Sequence, residues 1–240
     1  MLAVVFISNG VDPVRGDDDL NQRLVAAASN GNTTRVIALL REGADVNARG
    51  LRGRTPVMAA AYGNHVETVA ALIDAGADVN LRDNQLNNPF LYAGAEGLLD
   101  ILKLTVKAGA DPKLTNRFGG TALIPAAERG HVEVVKFLLT HTNIDINHVN
   151  NLGWTALLEA IVLSDGGPKH QEIVMLLIQH GANVNIPDSA GRTPFTTRGS
   201  AATKKSRHSF RPRGPALNIS QRSSSHLGDH RNNRLRVQYL

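Results

Sequence analysis

Cysteine is absent from all 240 residues, which removes disulfide frameworks and Cys-based zinc sites and leaves the redox compartment unreadable. Aromatic residues are scarce at 4% while hydrophobic residues reach 42%. The core must therefore be filled by Leu, Ile, Val and Ala, and short, closely packed helices suit such side chains better than a sandwich or a large barrel. Long apolar runs are missing too. The run nearest a terminus, Leu2 to Ile7, is too short to span a bilayer and lacks both a basic n-region and a small-residue cleavage pattern. It reads as part of a flexible leader over residues 1–16 of a soluble chain. Compartment stays open: cytoplasmic by default, secreted or periplasmic if a signal peptide was lost upstream.

Catalytic motifs are equally scarce. No Gly-x-x-x-x-Gly-Lys-Ser/Thr loop, Gly-x-Ser-x-Gly elbow or His-Glu-x-x-His helix occurs. Gly166-Gly-Pro-Lys169 superficially suggests a phosphate loop, but its place fits a connection that absorbs extra residues, with Pro168 just before the helix that follows. No catalytic residue, metal site or cofactor is expected.

The net charge of +5 is unevenly spread. Residues 1–197 balance at −4, whereas residues 198–240 carry ten Lys and Arg against the single acid Asp229, a balance of +9. Basicity belongs to the tail.

What the chain does have is a repeat. Gly43-Ala-Asp-Val-Asn47 recurs as Gly76-Ala-Asp-Val-Asn80 and as Gly109-Ala-Asp-Pro-Lys113, in steps of 33 residues. Asn143-Ile-Asp-Ile-Asn147 and Gly181-Ala-Asn-Val-Asn185 continue it at wider spacing. A second marker keeps the same phase: Thr55-Pro56, Asn88-Pro89, Thr121-Ala122, Thr155-Ala156 and Thr193-Pro194. Two markers in register identify a repeat architecture.

Each marker has a physical role. Thr before Pro opens a helix, because the hydroxyl accepts from an orphan N–H and proline at the first helical position loses no needed donor. Paired alanines such as Ala60-Ala61 and Ala126-Ala127 let helices approach closely. Gly97 and Gly130 stand where a reversal between helices needs a positive φ, with Asn64 the next best residue there. Val132, Val134, Val135, Leu138 and Leu139 form the buried stripe of a second helix. Gly43, Gly76, Gly109 and Gly181 end that helix. One unit is turn, helix, reversal, helix, and the units are about 17–49, 50–82, 83–115, 116–149 and 150–187, with a truncated one over 188–197. Asp17, Asp18 and Asp19 are expected to complement the start of the first helix.

The best copy, Gly120-Thr-Ala-Leu-Ile-Pro-Ala-Ala-Glu-Arg-Gly-His-Val-Glu-Val-Val-Lys-Phe-Leu-Leu139, resembles the ankyrin repeat, and the resemblance covers about residues 20–197. It implies an all-α solenoid of helix-turn-helix units joined by β-turn loops. It also implies a non-catalytic, monomeric protein-interaction module whose partner lies across the turn tips and the inner, concave side of the first helices. Carried over by phase, unit two offers Leu51, Arg52, Arg54 and Tyr62, and unit three offers Asn84, Gln85, Asn87 and Glu96. Unit four offers Arg117, Phe118, Glu128 and Arg129, and unit five offers Asn151, Leu152 and Trp154. Apolar tips are the candidate anchors, with charged neighbours setting orientation. His65, His131 and His170 share one phase, which points to a structural bridge between turns rather than to metal ligation.

After Thr193-Pro194 the pattern stops inside a first helix, leaving Ile173, Val174, Leu177 and Ile178 without the neighbour a further unit would supply. Back-translated and shifted by one base, residues 194–206 permit Leu-His-His-Ala-Arg-Gln-Arg-Gly-Tyr-Lys-Glu-Ile after Thr-Pro, an ankyrin continuation. Residues from about 195 are accordingly expected to be a frameshift product, and 198–240 a basic, disordered tail. A genuine tail of this composition would instead imply nucleic-acid or membrane-surface association.

Overall fold

In a computed structural model, the described residues are 13–164 and 166–194. Among them ten helices form five antiparallel pairs: α1 (Pro13–Ser29) with α2 (Thr33–Arg41), α3 (Pro56–Tyr62) with α4 (Val66–Asp74), α5 (Pro89–Glu96) with α6 (Leu99–Lys107), α7 (Leu123–Glu128) with α8 (Val132–His141), and α9 (Ala156–Val162) with α10 (Pro168–Gln179). The odd-numbered helices stack on one another as one layer and the even-numbered helices as a second. One core runs through the stack. Small residues such as Ala60, Ala93 and Ala126 line the first helices, while Val69, Leu102, Val135 and Leu177 fill the space beneath the second.

The expected signals place most helix ends. Thr55 Oγ1 accepts from Met58 N–H at 3.3 Å, Asn88 Oδ1 from Leu91 N–H at 2.8 Å, and Thr155 Oγ1 from Leu158 N–H at 3.2 Å. Gly97 and Gly130 hold φ of 75° and 77°, and Asn64 φ of 54°, at the reversals. Unit four departs from this scheme. Pro125 has no N–H to return to Thr121, so α7 begins only at Leu123 and Thr121 makes no side-chain cap.

Three other expectations need correction. Helix α1 opens at Pro13, ahead of the boundary placed at residue 17, so Asp17, Asp18 and Asp19 lie within the helix and no acid occupies its first turn. Pro168 is the first residue of α10 rather than the residue before it. At the far end the expectation holds for Ile178, 49% exposed beside Met175 at 55%, but not for Ile173 and Leu177, which are fully buried against unit four and α9. The frameshift and the tail fall on residues 195–240, outside the described residues.

Two kinds of side-chain rung tie one unit to the next. In the first, a histidine donates from Nε2 to a carbonyl at the end of the preceding unit's first helix: His65 to Ser29 at 3.1 Å, His131 to Ala95 at 3.2 Å, and His170 to Glu128 at 2.9 Å. This is the bridge anticipated from their common phase. In the second, an asparagine Oδ1 accepts a backbone N–H of the following unit: Asn47 from Asp78 at 2.9 Å, Asn80 from Asp111 at 2.8 Å, and Asn147 from Asn183 at 2.7 Å. Unit three puts Leu98 at the histidine place and Lys113 at the asparagine place. It therefore lacks one rung on each side. Where Lys113 leaves the rung out, an open groove of about 420 Å³ lies between units three and four, lined by Val106, Ala110, Pro112 and residues 140–143.

Candidate partner-binding edge

A buried side chain folds each hairpin of units three to five and of the segment beyond. Asp83 Oδ1 accepts from the N–H groups of Gln85 and Asn87 at 2.8 and 3.0 Å. Asn116 does the same for Phe118 and Gly120, Asn150 for Leu152 and Trp154, and Asp188 for Ala190 and Arg192. A short acceptor closing a tight turn in this way frees the tip residues to face outward. Unit two has Gly50 at that place and closes differently. A short 3₁₀ turn over Leu51–Gly53 is held by Arg49, whose guanidinium donates to the Gly53 carbonyl at 2.7 Å. Leu51 emerges from it 82% exposed, beside Arg52 at φ 61°.

Behind the tips the inner side is knit together. The Arg54 guanidinium lies 3.7 Å from the centre of the Tyr62 ring, and Tyr62 packs against Tyr92 with centroids 4.3 Å apart. Tyr62 donates its hydroxyl to Asp83 Oδ2 at 3.0 Å. Burial raises the hydroxyl pKa of both tyrosines. Tyr92 was not anticipated. The signal for it was available, since it stands in the phase of Ala59 and Pro125, an aromatic where sister units carry smaller side chains. Across the next seam Arg129 pairs with Glu96 and donates to the Ala95 carbonyl at 2.9 Å.

The expected contact residues thus separate into two groups. Leu51, Arg52, Asn84, Arg117 and Asn151 are exposed at the tips, and Gln85, Phe118, Leu152, Glu128 and Trp154 are half-buried. Arg117 lies over the Phe118 ring at 4.8 Å. Arg54, Tyr62, Glu96 and Arg129 are half-buried and engaged with one another's units. Asn87 is corrected: it is 3% exposed, because its N–H turns inward to Asp83, and it is unavailable to a partner.

Leu86 is the tip residue that the sequence reading passed over. It holds φ 60° at the place where the other hairpins carry Gly53, Gly119, Gly153 and Gly191, with φ between 69° and 79°. A left-handed conformation costs a branched side chain about 1–2 kcal/mol. At two of those glycine places crowding bars a side chain. A Cβ on Gly53 would lie 2.4 Å from Asn84 Oδ1, and one on Gly119 2.3 Å from Asn151 Oδ1. Those tips are also drawn together by backbone bonds, Asn84 N–H to Arg52 O at 3.0 Å and Asn151 N–H to Phe118 O at 2.9 Å. Unit four presents Arg117 instead of asparagine. The Leu86 side chain is 42% exposed there.

Among the described residues no group of three His, Asp or Glu stands where it could hold a metal ion, and no helix is long and apolar enough to cross a membrane.

Helix pairs stacked in two layers, each joined to the next through a hairpin, define a repeat solenoid of the kind that presents a continuous edge to other molecules. Comparison with known proteins specifies which. Ankyrin repeats match in three overlapping copies, over residues 5–83, 24–116 and 90–188, and the chain belongs to the ankyrin repeat family. An ankyrin repeat domain from Acinetobacter baumannii AYE superposes with a TM-score of 0.73 at 49% identity, over 75% of this chain and 91% of that one. The ankyrin repeat protein EF0377 superposes with a TM-score of 0.72 at 40% identity, over 76% and 92%. The ankyrin repeat protein YahD of Escherichia coli (strain K12) is 57% identical over 79 residues, 33% of this chain; the match spans only 39% of YahD. Ankyrin repeats are generally scaffolds for protein–protein interaction, typically without catalytic activity of their own.

Proposed function

We propose that this chain is a non-catalytic binding module that receives another protein across the hairpin tips of units two to five and the inner side of the first helices behind them. The observation that supports this face over the rest of the surface is an apolar side chain on each of four successive hairpins: Leu51, Leu86, Phe118 and Leu152. Leu51, at 82%, is the most exposed of the large apolar residues among the described residues, and Leu86 is exposed as well. Apolar groups that recur along one edge, flanked by arginines, match the composition of interface anchors.

The test is a pull-down from the cells that make the protein, comparing the wild type with a combined Leu51→Ser, Arg52→Ser, Arg117→Ser and Leu152→Ser variant. Arg54 and Tyr62 are left intact because they brace the fold. Loss of the co-purifying proteins with an unchanged circular dichroism spectrum supports the edge. Undiminished capture places binding elsewhere.

A further inference from the structure

We propose that the outer face of unit five is an unfilled seam, and that its occupant is a sixth ankyrin unit, encoded after Pro194 in the reading frame that rereads the last base of the Pro194 codon. This does not rest on the protein-binding reading above.

Three observations carry it. The first is what the open end displays. Counted from the glycine that ends each second helix, Ile178 stands at the place of Leu40, Ile73 and Val106, and Val184 at the place of Val46 and Val79. In the inner units these side chains are buried or half-buried on the core, whereas Ile178 and Val184 are 49% and 36% exposed. Asn185 completes the set. Its counterparts Asn47, Asn80 and Asn147 each accept a backbone N–H of the following unit. Among the described residues no backbone N–H reaches the exposed Asn185 side chain.

The second is that a sixth unit has already begun on this face. Asp188 closes its hairpin, and Arg192 donates from Nε and Nη2 to Asp188 Oδ2 at 2.9 and 2.6 Å. Pro194, at the place of Pro56 and Pro89, is buried with a helical backbone. A unit that opens in this way needs a helix pair to complete it. In the frame that is read, residues 195–240 carry no ankyrin pattern.

The third comes from the genetic code. Slipped back by one base, the codons of residues 194–215 permit Leu-His-His-Ala-Arg-Gln-Arg-Gly-Tyr-Lys-Glu-Ile-Ala-Ala-Leu-Leu-Gln-Ala-Ala-Gly-Ala. Its two glycines fall nine and 21 residues after Thr193, as Gly97 and Gly109 follow Asn88. In that frame glycine is permitted only ahead of a residue whose own codon starts with G, which holds for eight of residues 196–240. Both required places are among them, ahead of Ala202 and Gly214. The codon after the first glycine also permits His, the residue of the rung. At the place of Ile178 the frame permits Gln, Ser or Pro but no large apolar residue, as suits a unit whose outer face meets water. The match ends at the next codon, which excludes the Asp of the other units.

A second copy of the chain would not supply what the face lacks. Unit one has satisfied its own donor, since Asn21 Oδ1 accepts from Asp45 N–H at 2.8 Å, and another open end would bring only another Asn185.

Reading the gene and expressing both frames tests this. The slipped frame should stay open through both glycines, and its product should have a higher thermal midpoint than the 240-residue chain. Asn185→Ala should lower the midpoint of the extended chain by about 2–4 °C and leave that of the 240-residue chain unchanged. A slipped frame that stops early or lacks the phased glycines overturns the proposal, and so does an extended chain no more stable than the shorter one. An Asn185→Ala change that shifts both chains alike, or neither, removes the seam. Dimerisation of the 240-residue chain that Ile178→Ser abolishes would give the face to a second copy and overturn it as well.

Discussion

Unit three and the units around it are cut from one pattern yet joined differently. The outer seams, between units one and two and between units four and five, carry both rungs, His65 with Asn47 and His170 with Asn147. The seam into unit three keeps only Asn80, and the seam out of it keeps only His131. Stability in a repeat stack is close to a sum of unit and interface terms, and the two middle seams, each short of one rung, carry inner-side ties instead: Tyr62 to Asp83 on one, Arg129 to Glu96 and the Ala95 carbonyl on the other. The middle is also where the unusual features gather: the Tyr62–Tyr92 pair, the strained Leu86 and the groove beside Pro112. Strain concentrated at one place is what a binding surface draws on.

The comparison breaks most severely if the remaining rung at the exit of unit three is removed. His131→Leu leaves that seam with neither kind of rung, and the loss should be about 1–2 kcal/mol in urea unfolding near neutral pH. The same rung should make the protein sensitive to acid. Burial lowers the pKa of His131 below the 6.5 of a free imidazole, with Arg129 and Lys169 pushing the same way and the Ala95 carbonyl and Glu96 opposing. The unfolded chain therefore takes up this proton at a higher pH than the folded one does. Between the two pKa values the unfolded state holds more protons, so the contribution is present above pH 6.5 and is lost as the pH falls below it. Urea midpoints of wild type and variant should converge between pH 7.5 and pH 5; a constant gap would assign the acid sensitivity to another group.

A smaller effect, of opposite sign, is expected from restoring the missing acceptor. Lys113→Asn should supply the Asp145 N–H with the partner that Asp78, Asp111 and Asn183 already have. A gain of about 0.5–1 kcal/mol is the usual worth of such a bond. Hydrogen exchange at the Asp145 amide reads it directly, and slower exchange there with little change at Asp78 is the expected result. Unchanged exchange at Asp145 would mean that the groove, not the lysine, keeps the units apart.

How much of this could be read from the sequence depends on how far apart the interacting residues are. The period, the reversals at Gly97 and Gly130, and the common role of His65, His131 and His170 were legible because each is a local signal repeated in phase. Unit three's departures were visible as letters, Leu98 and Lys113, but their consequence was not. It lies in a bond between residues about thirty apart whose acceptor and donor are identified only by the stacked geometry. Asn87 misled for a related reason. A polar residue at a hairpin reads as wet, yet the turn around Asp83 rotates it inward. Leu86 was hidden by its backbone: nothing in the residue itself announces a positive φ, although the alignment of its place with Gly53 and Gly119 could have done so. In unit four the best-matching sequence copy has the least regular first helix, because Pro125 removes a backbone donor that no pattern match weighs.

Leu98→His is the mildest of the three changes at the seams and the one in which competing terms nearly cancel. A histidine here would stand opposite the Tyr62 carbonyl, the counterpart of Ser29, Ala95 and Glu128 in the other seams. The new bond is worth about 1 kcal/mol. Against it, Leu98 is half-buried and packs on the core, and giving up part of that apolar contact costs about as much. The urea midpoint at pH 7.5 should therefore move little in either direction. What should change is its pH dependence. An imidazole buried like that of His131 stays neutral in the fold, so the variant should lose stability below about pH 6.5 more steeply than the wild type does. A variant that is as stable as the wild type at both pH 7.5 and pH 5 would show that this seam does not draw the histidine into a buried bond. Unit three would then differ from its neighbours in shape as well as in the two residues that tie it.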